Sequence, residues 1–249
     1  MNTQEAFDKN GYVKIDNFLN EGMAQFLYAY LEMKAASMNF LLDNSYIYDK
    51  LDNSQAAHYA GTIEQDPHNA GYKGCYTCYA DPAMETLLGG MTDIIGSLIG
   101  KQLSPTYSYT RMYKNGNELR VHTDRPACEI SATVCLGYEK DIPWDIYMED
   151  TPITMKEGDA VIYKGCEIQH SRKTYEGTKA GQVFLHYNDV AGPYYGQHMF
   201  DNRPCLGTPR KEALEANFKG VLFKRYKDLG DSTEPLKTIK PEIPWNKLT

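Results

Sequence analysis

The chain has 249 residues, 42% hydrophobic and 24% charged, an ordinary globular composition and long enough to bury a core without disulfide or metal staples. Its net charge of −7 argues against a general nucleic-acid surface, which needs a basic excess, although Arg111, Lys114, Arg120 and Arg125 could still form a local basic groove. No apolar run is long enough to cross a bilayer, and the polar start Met1-Asn2-Thr3-Gln4-Glu5 lacks the apolar core of an export signal, so a cytoplasmic setting without membrane contact is expected.

Taken in chain order, Asn10-Gly11 breaks the chain before Tyr12-Val13-Lys14-Ile15, which alternates as a short strand. Asn20 is placed to cap a helix over about 21–36, with Met23, Phe26, Leu27, Tyr30 and Leu31 at helical spacing as its buried stripe. From about 43 to 79 the periodicity fades into Asn, Asp, Gly and Tyr. A stretch of this length is either a lid over a site or an irregular wrap packed on the helices. Within it, Cys75 and Cys78 lack the second pair that a zinc ribbon needs and read as two structural thiols; six cysteines make no disulfide framework in a chain this long. Asp81-Pro82 then opens a second helix, with Met84, Leu87, Leu88, Met91, Ile95 and Leu98 on its inner face and Gly100 at its end.

From Pro105 the period shortens to that of strands. The expected strands are 107–113, 119–122, 129–136, 146–148, 153–155, 160–163, 167–172 and 182–187. Strands following helices in this way predict a mainly β domain with supporting α-helices, a double-stranded β-helix of the jelly-roll or cupin-like kind. The whole chain, 1–249, reads as one domain: helical support and a lid candidate over 1–104, the barrel over 105–190, and a C-terminal extension over 191–249. In that extension Thr208-Pro209 opens a short basic helix to about Tyr226, and Pro235, Pro241 and Pro244 mark an extended tail.

The residues that carry chemistry are His122-Thr123-Asp124, answered much later by His170. Two imidazoles and one carboxylate form the ligand set of a mononuclear non-haem Fe(II) site, covering one face of an octahedron and leaving the other open. Residues two apart on a strand share a side, so His122 and Asp124 can reach one ion while His170 comes from another strand. Affinity alone does not select iron, and a cupin-like barrel could hold Zn or Mn with the same groups. His186 and His198 read as histidines satisfied within the core.

The stretch from Tyr107 to Asp189 resembles the catalytic barrel of the 2-oxoglutarate- and Fe(II)-dependent dioxygenases, in particular the prolyl-hydroxylase-like branch. The matching residues are Tyr113, Gly116, Leu119, His122 and Asp124, then Glu157-Gly158-Asp159-Ala160-Val161 ahead of His170. The opening from Phe7 to Leu19 also looks like the entry of these enzymes. The resemblance implies Fe(II) held by His122, Asp124 and His170, with 2-oxoglutarate as co-substrate, O2 as oxidant and ascorbate as an accessory reductant. It further implies release of succinate and CO2 and hydroxylation of an unactivated C–H bond. Retention of Asp124 favours hydroxylation, because related halogenases lose this carboxylate. The substrate would be a small molecule such as a free amino acid, or a prolyl residue in a peptide or protein; the oligomeric state stays open.

The resemblance also implies a cation for the distal carboxylate of 2-oxoglutarate. Lys179, in Gly177-Thr178-Lys179, looks like the family's Gly-Thr-Arg. Arg172 shares the inward face of His170, and Arg111 shares a face with Tyr113, whose family counterpart touches the co-substrate. Each of the three could instead be a surface charge. Arg125 falls at the cavity mouth as a substrate contact or as a salt-bridge partner of Glu129, and Trp144 lines the substrate entrance or packs in a turn. The rival to an oxygenase is a cupin-like metal-binding barrel without oxygenase activity, a binding or isomerase module.

Overall fold

The computed structural model describes residues 2–43, 61–64, 71–139 and 142–208. Helix α1 (Thr3–Asn10), which the hydrophobic period did not reveal, is set by its ends. Asn2 accepts from the Glu5 amide at 2.8 Å, Glu5 accepts from the Asn2 amide at 3.0 Å, and Gly11 stops the helix in the left-handed region at φ 77°. Strand β1 (Tyr12–Ile15) follows, then α2 (Glu21–Asp43), capped as expected by Asn20 accepting from the Met23 amide at 2.9 Å.

Helix α2 runs further than its predicted end; Leu27 and Leu31 of its expected stripe are buried and Tyr30 is partly so, but the rest of the stripe differs. Ala24, Leu27, Leu31, Ala35 and Met38 face the core, whereas Met23 and Phe26 are 43% and 64% exposed. The helical period was legible, but the sheet it covers chose the face. Helix α3 (Pro82–Ile99) meets expectation more closely: Asp81 caps it, Met84, Leu87, Leu88 and Ile95 are buried, and Gly100 ends it at φ 67°. Among the described residues no helix is long and apolar enough to cross a membrane.

The remaining strands are β2 (Thr62–Ile63), β3 (Tyr76–Tyr79), β4 (Leu103–Lys114), β5 (Leu119–His122), β6 (Ile130–Tyr138), β7 (Ile146–Met148), β8 (Thr151–Ile153), β9 (Ala160–Lys164), β10 (His170–Arg172) and β11 (Lys179–Asp189). They form two antiparallel sheets, ordered β1-β9-β6-β11-β4-β3-β2 and β5-β10-β7-β8. Strands β4 and β11 outrun their predicted ends because each pairs with the other along nearly its whole length, from Lys179 opposite Lys114 to Asp189 opposite Leu103. Part of the segment expected as lid or wrap is thus sheet edge, β2 and β3; its residues 44–60 and 65–70 lie outside the described residues, as does the helix expected from Pro209 onward.

Strand alternation sorts the large sheet into two faces. Ile130, Ala132, Val134, Ile162, Val183 and Leu185 join Leu27, Leu31 and Leu88 of the helices in one core. On the opposite face Cys135, Val161 and Tyr163 pack against Ile146 and Met148 of the small sheet. The site sits between the sheets, on this inner face.

Candidate metal centre

Strands β5 and β10 place His122 directly opposite His170, with ring centroids 4.2 Å apart. His122 Nδ1 donates to the Arg120 carbonyl at 2.8 Å, and His170 Nδ1 donates to the Ile168 carbonyl at 3.1 Å. A carbonyl can only accept, so each Nδ1 carries the proton and each Nε2 turns its lone pair inward, the tautomer a metal ligand needs. Asp124 Oδ1 lies 3.6 Å from both Nε2 atoms, and the three ligand atoms all fall within 4.8 Å of one another.

Asp124 reaches this point by a route the sequence did not show. Strand β5 ends at His122, so strand parity does not aim Asp124. Its amide donates to the Gly165 carbonyl at 2.8 Å, and its Oδ2 accepts from Ser131 Oγ at 2.9 Å. Gly165 must lack a side chain here, since a Cβ would stand 2.1 Å from the Cys128 carbonyl and 2.6 Å from Asp124 Oδ2. Ser131 Oγ has one proton to give; with that directed to Asp124 it accepts from His186 Nδ1 at 2.9 Å. Burial pushes His186 down to about 4 against the pull of Asp124, leaving it neutral near pH 7. Burial alone would raise the Asp124 carboxyl, but the imidazoles of His122 and His170 beside it, each 3.6 Å away, hold it below the usual carboxylate range. Buried Tyr163 adds a hydroxyl 3.5 Å from His170 Nε2.

These three side chains open into a cavity of about 240 Å³ whose other walls include Tyr72, Tyr107, Tyr109, Arg111, Tyr113 and Phe184. The Tyr113 hydroxyl and Arg111 Nη1 are buried there without a hydrogen-bond partner. Arg172 is only 2% exposed and donates to the Trp144 carbonyl at 2.5 Å and to Gln182 Oε1 at 3.3 Å, leaving Nε unpartnered. Among the described residues the arginines paired with carboxylates are Arg120, Arg125 and Arg203, so neither Arg111 nor Arg172 has a counter-charge.

No protein-family model matches the chain, and no curated protein does. Solved structures do. A Pseudomonas putida prolyl-4-hydroxylase superposes with a TM-score of 0.53 at 14% identity, over 75% of this chain and 97% of its own. An oxidoreductase of the 2OG-Fe(II) oxygenase family from Burkholderia pseudomallei gives 0.50 at 13%, over 82% and 92%. The fold is that of the 2-oxoglutarate–Fe(II) oxygenases. The non-haem alpha-ketoglutarate-dependent carbocyclase SnoK of nogalamycin biosynthesis shares it with a TM-score of 0.55 at 14%, over 83% and 91%.

Within this oxygenase fold three of the expected contacts lie elsewhere. Lys179 Nζ sits on the outside, 3.1 Å from both Glu32 and Glu139, because it begins β11 on the face opposite Gln182, Phe184 and His186. Trp144 stands behind the cavity, not at its entrance; its ring meets Tyr113 edge-on at 4.7 Å, and its Nε1 donates to the Lys173 carbonyl at 2.7 Å. Arg125 is spent on a bidentate pair with Asp201 at 2.7 and 2.9 Å, while Glu129 accepts from Asn188 and the Asp189 amide. The proposed local basic groove is therefore dispersed, with Arg120 and Arg125 both paired to carboxylates.

The sequence did not point to Ser131 or Gly165, whereas His186 is buried and hydrogen-bonded as a core histidine and also lines the cavity. Alternation of Gln182, Phe184 and His186 was the one available signal for His186; nothing in the sequence marks Ser131. Ser131→Ala removes the donor that fixes Asp124 and strands the His186 N–H, so metal affinity is expected to fall about 10- to 100-fold. Titration calorimetry with a divalent metal reads this directly, and unchanged affinity would remove Ser131 from the centre.

Proposed function

We propose that the chain is an oxygenase using Fe(II), 2-oxoglutarate and O2 to hydroxylate an unactivated C–H bond of a small-molecule or peptide substrate, with release of succinate and CO2. One observation carries this reading. Two imidazole lone pairs and a carboxylate oxygen converge on one point of a cavity lined by the Arg111 guanidinium, with that of Arg172 buried on Trp144 behind the Tyr113 wall, and among the described residues neither guanidinium is paired with a carboxylate. A binding barrel for a metal alone has no use for buried, uncompensated cations, which are costly to desolvate. The residues fit the implied groups: a divalent ion at His122, Asp124 and His170, and a dianionic acid on the cationic side. Bound there, iron and 2-oxoglutarate would supply the oxidising power.

The chain's own residues bind, orient and exclude water. The Arg120 and Ile168 carbonyls hold the two imidazoles in their ligating tautomer, and Ser131 holds the carboxylate. Tyr113 and Arg172 both pack on Trp144, edge-on at 4.7 Å and over the ring at 5.0 Å, and are the natural receivers of the distal carboxylate of 2-oxoglutarate. Tyr107, Tyr109 and Phe184 supply aromatic walls that keep the site dry. Neighbours of this fold are named as a hydroxylase and a carbocyclase, so the outcome at carbon is set by substrate placement, which fold alone does not transmit.

The test is turnover without a known substrate. Protein given Fe(II), ascorbate and 2-oxoglutarate in air is expected to release succinate, and to release none without oxygen or metal. Silence in that assay, with no 2-oxoglutarate bound by the metal-loaded protein, would leave the cupin-like binding reading in its place. Arg172→Gln is expected to raise the 2-oxoglutarate Kd by roughly 30-fold or more, from about 2 kcal/mol or more lost with a buried charge-assisted bond. Lys179→Ala, on the outer surface, is the control and should leave that Kd unchanged.

A further inference from the structure

The oxygenase reading of the cavity leaves one cation over. A divalent metal, the Arg111 guanidinium on the cavity wall and the Arg172 guanidinium buried behind that wall on Trp144 are set against Asp124, the only carboxylate lining the cavity among the described residues. The two carboxylates of 2-oxoglutarate still leave a net positive charge. A buried charge without a partner is expensive, and an arginine cannot shed its proton to escape the cost. The surplus therefore points to a second anion in the working complex.

Arg111 is the guanidinium placed to receive it. It lines the cavity, whereas Arg172 does not. Its flat face is already covered, by Tyr72 at 3.9 Å and Tyr109 at 5.2 Å. Stacking leaves the edge of the fork open, and Nη1 is buried with no acceptor. An edge-on N–H donor clamped between aromatic rings is suited to a planar carboxylate. Beside it, Tyr109 and Phe184 pack with ring centroids 6.5 Å apart as an apolar wall, which suits a carbon skeleton attached to that carboxylate.

We propose that the substrate of this cavity is a carboxylic acid with an apolar body, and that Arg111 binds its carboxylate while Arg172 and Tyr113 serve 2-oxoglutarate. The inference rests on the oxygenase reading and goes beyond it by naming the substrate class and the residue that selects it.

Two measurements test it. In the first, protein loaded with Fe(II) and 2-oxoglutarate is offered free amino acids and small aliphatic or aromatic carboxylic acids. It is also offered the neutral amide of each, and short peptides carrying Asp or Glu. Succinate release and a mass gain of one oxygen are followed. Some acids are expected to stimulate release at least tenfold over their amides; stimulation by the peptides instead of the free acids would identify a protein-borne carboxylate as the source. Arg111→Gln should abolish the preference for acid over amide, and Arg111→Lys should restore part of it. In the second, 2-oxoglutarate binding is measured by calorimetry on protein loaded with redox-silent Zn(II). Arg172→Gln should weaken it strongly and Arg111→Gln by less than threefold. Amides that stimulate as well as acids, or a tenfold loss of 2-oxoglutarate affinity in Arg111→Gln, would overturn the assignment. Wild-type protein that binds no 2-oxoglutarate at all would instead overturn the oxygenase reading beneath it, so the two failures are distinguishable.

Discussion

Replacing His122 or His170 by Ala is expected to abolish tight divalent-metal binding and, with it, all succinate release. Each imidazole contributes one inward Nε2 lone pair held by a backbone carbonyl, and among the described residues no third histidine joins the His122–Asp124–His170 group. His186 is the nearest candidate, but its Nδ1 is engaged with Ser131. Loss of an orienting neighbour typically costs 10- to 100-fold in metal affinity, and loss of a ligand should exceed about 100-fold. Asp124→Ala should be milder in affinity, since two imidazoles remain, and equally damaging to turnover. The fold should survive all three changes, because His122 is half-exposed and β5 and β10 are held by backbone pairing. Calorimetry for the metal and circular dichroism for the fold separate the two effects. Metal affinity within threefold of wild type in all three variants would dismiss the triad.

The largest expected effect on stability lies away from the metal. Arg203 and Glu85 form a buried pair, 0% and 1% exposed at their side chains, with Nη2–Oε1 at 2.6 Å and Nη1–Oε2 at 3.0 Å. Arg203 also donates to the Phe200, Thr106 and Thr208 carbonyls, and Glu85 accepts from the Ser108 and Gly207 amides. The pair thus ties the segment after β11 to α3 and β4. Removing one partner leaves the other charge buried and unpaired, which costs about 3–5 kcal/mol. Arg203→Ala and Glu85→Ala are each expected to lose that much in urea unfolding, a large share of the roughly 5–15 kcal/mol that a domain has. The double variant Glu85→Leu with Arg203→Met should lose less than either single change, since no charge is left stranded. A loss under 1 kcal/mol in both single variants would show that water reaches the pair.

How much of this was legible depended on how local the cause was. The starts of α2 and α3 were, because Asn20 and Asp81 cap through their own side chains on amides two or three residues away. The jelly roll was legible from alternating runs between turn residues, and the grouping of His122, Asp124 and His170 from a scarce chemical combination at a plausible spacing. The buried stripe of α2 was not: Phe26 and Leu27 are adjacent and equally apolar, and only the sheet beneath decides that Leu27 turns inward. Nor was the Glu85–Arg203 pair, whose partners are far apart in the chain and look like any two surface charges.

The basic residues show the division most clearly. By itself the sequence determined that cations stand near the distal histidine and beside Tyr113, because those residues are simply there. It could not decide among Lys179, Arg172 and Arg111, since a buried and an exposed cation are written with the same letters. Tertiary structure decided which of them are buried, through strand parity and pairing. Lys179 opens β11 on the outer face and meets Glu32 and Glu139, while Arg172 and Arg111 turn inward and, among the described residues, pair with no carboxylate. The aim of Asp124 was settled in the same way, by the Gly165 carbonyl and Ser131 Oγ, two groups brought in from other parts of the barrel. Local patterning fixes which side chains exist and how each element turns. The cost of burying a charge or a polar group depends on what lies across the sheet, and that is known only once the strands have paired.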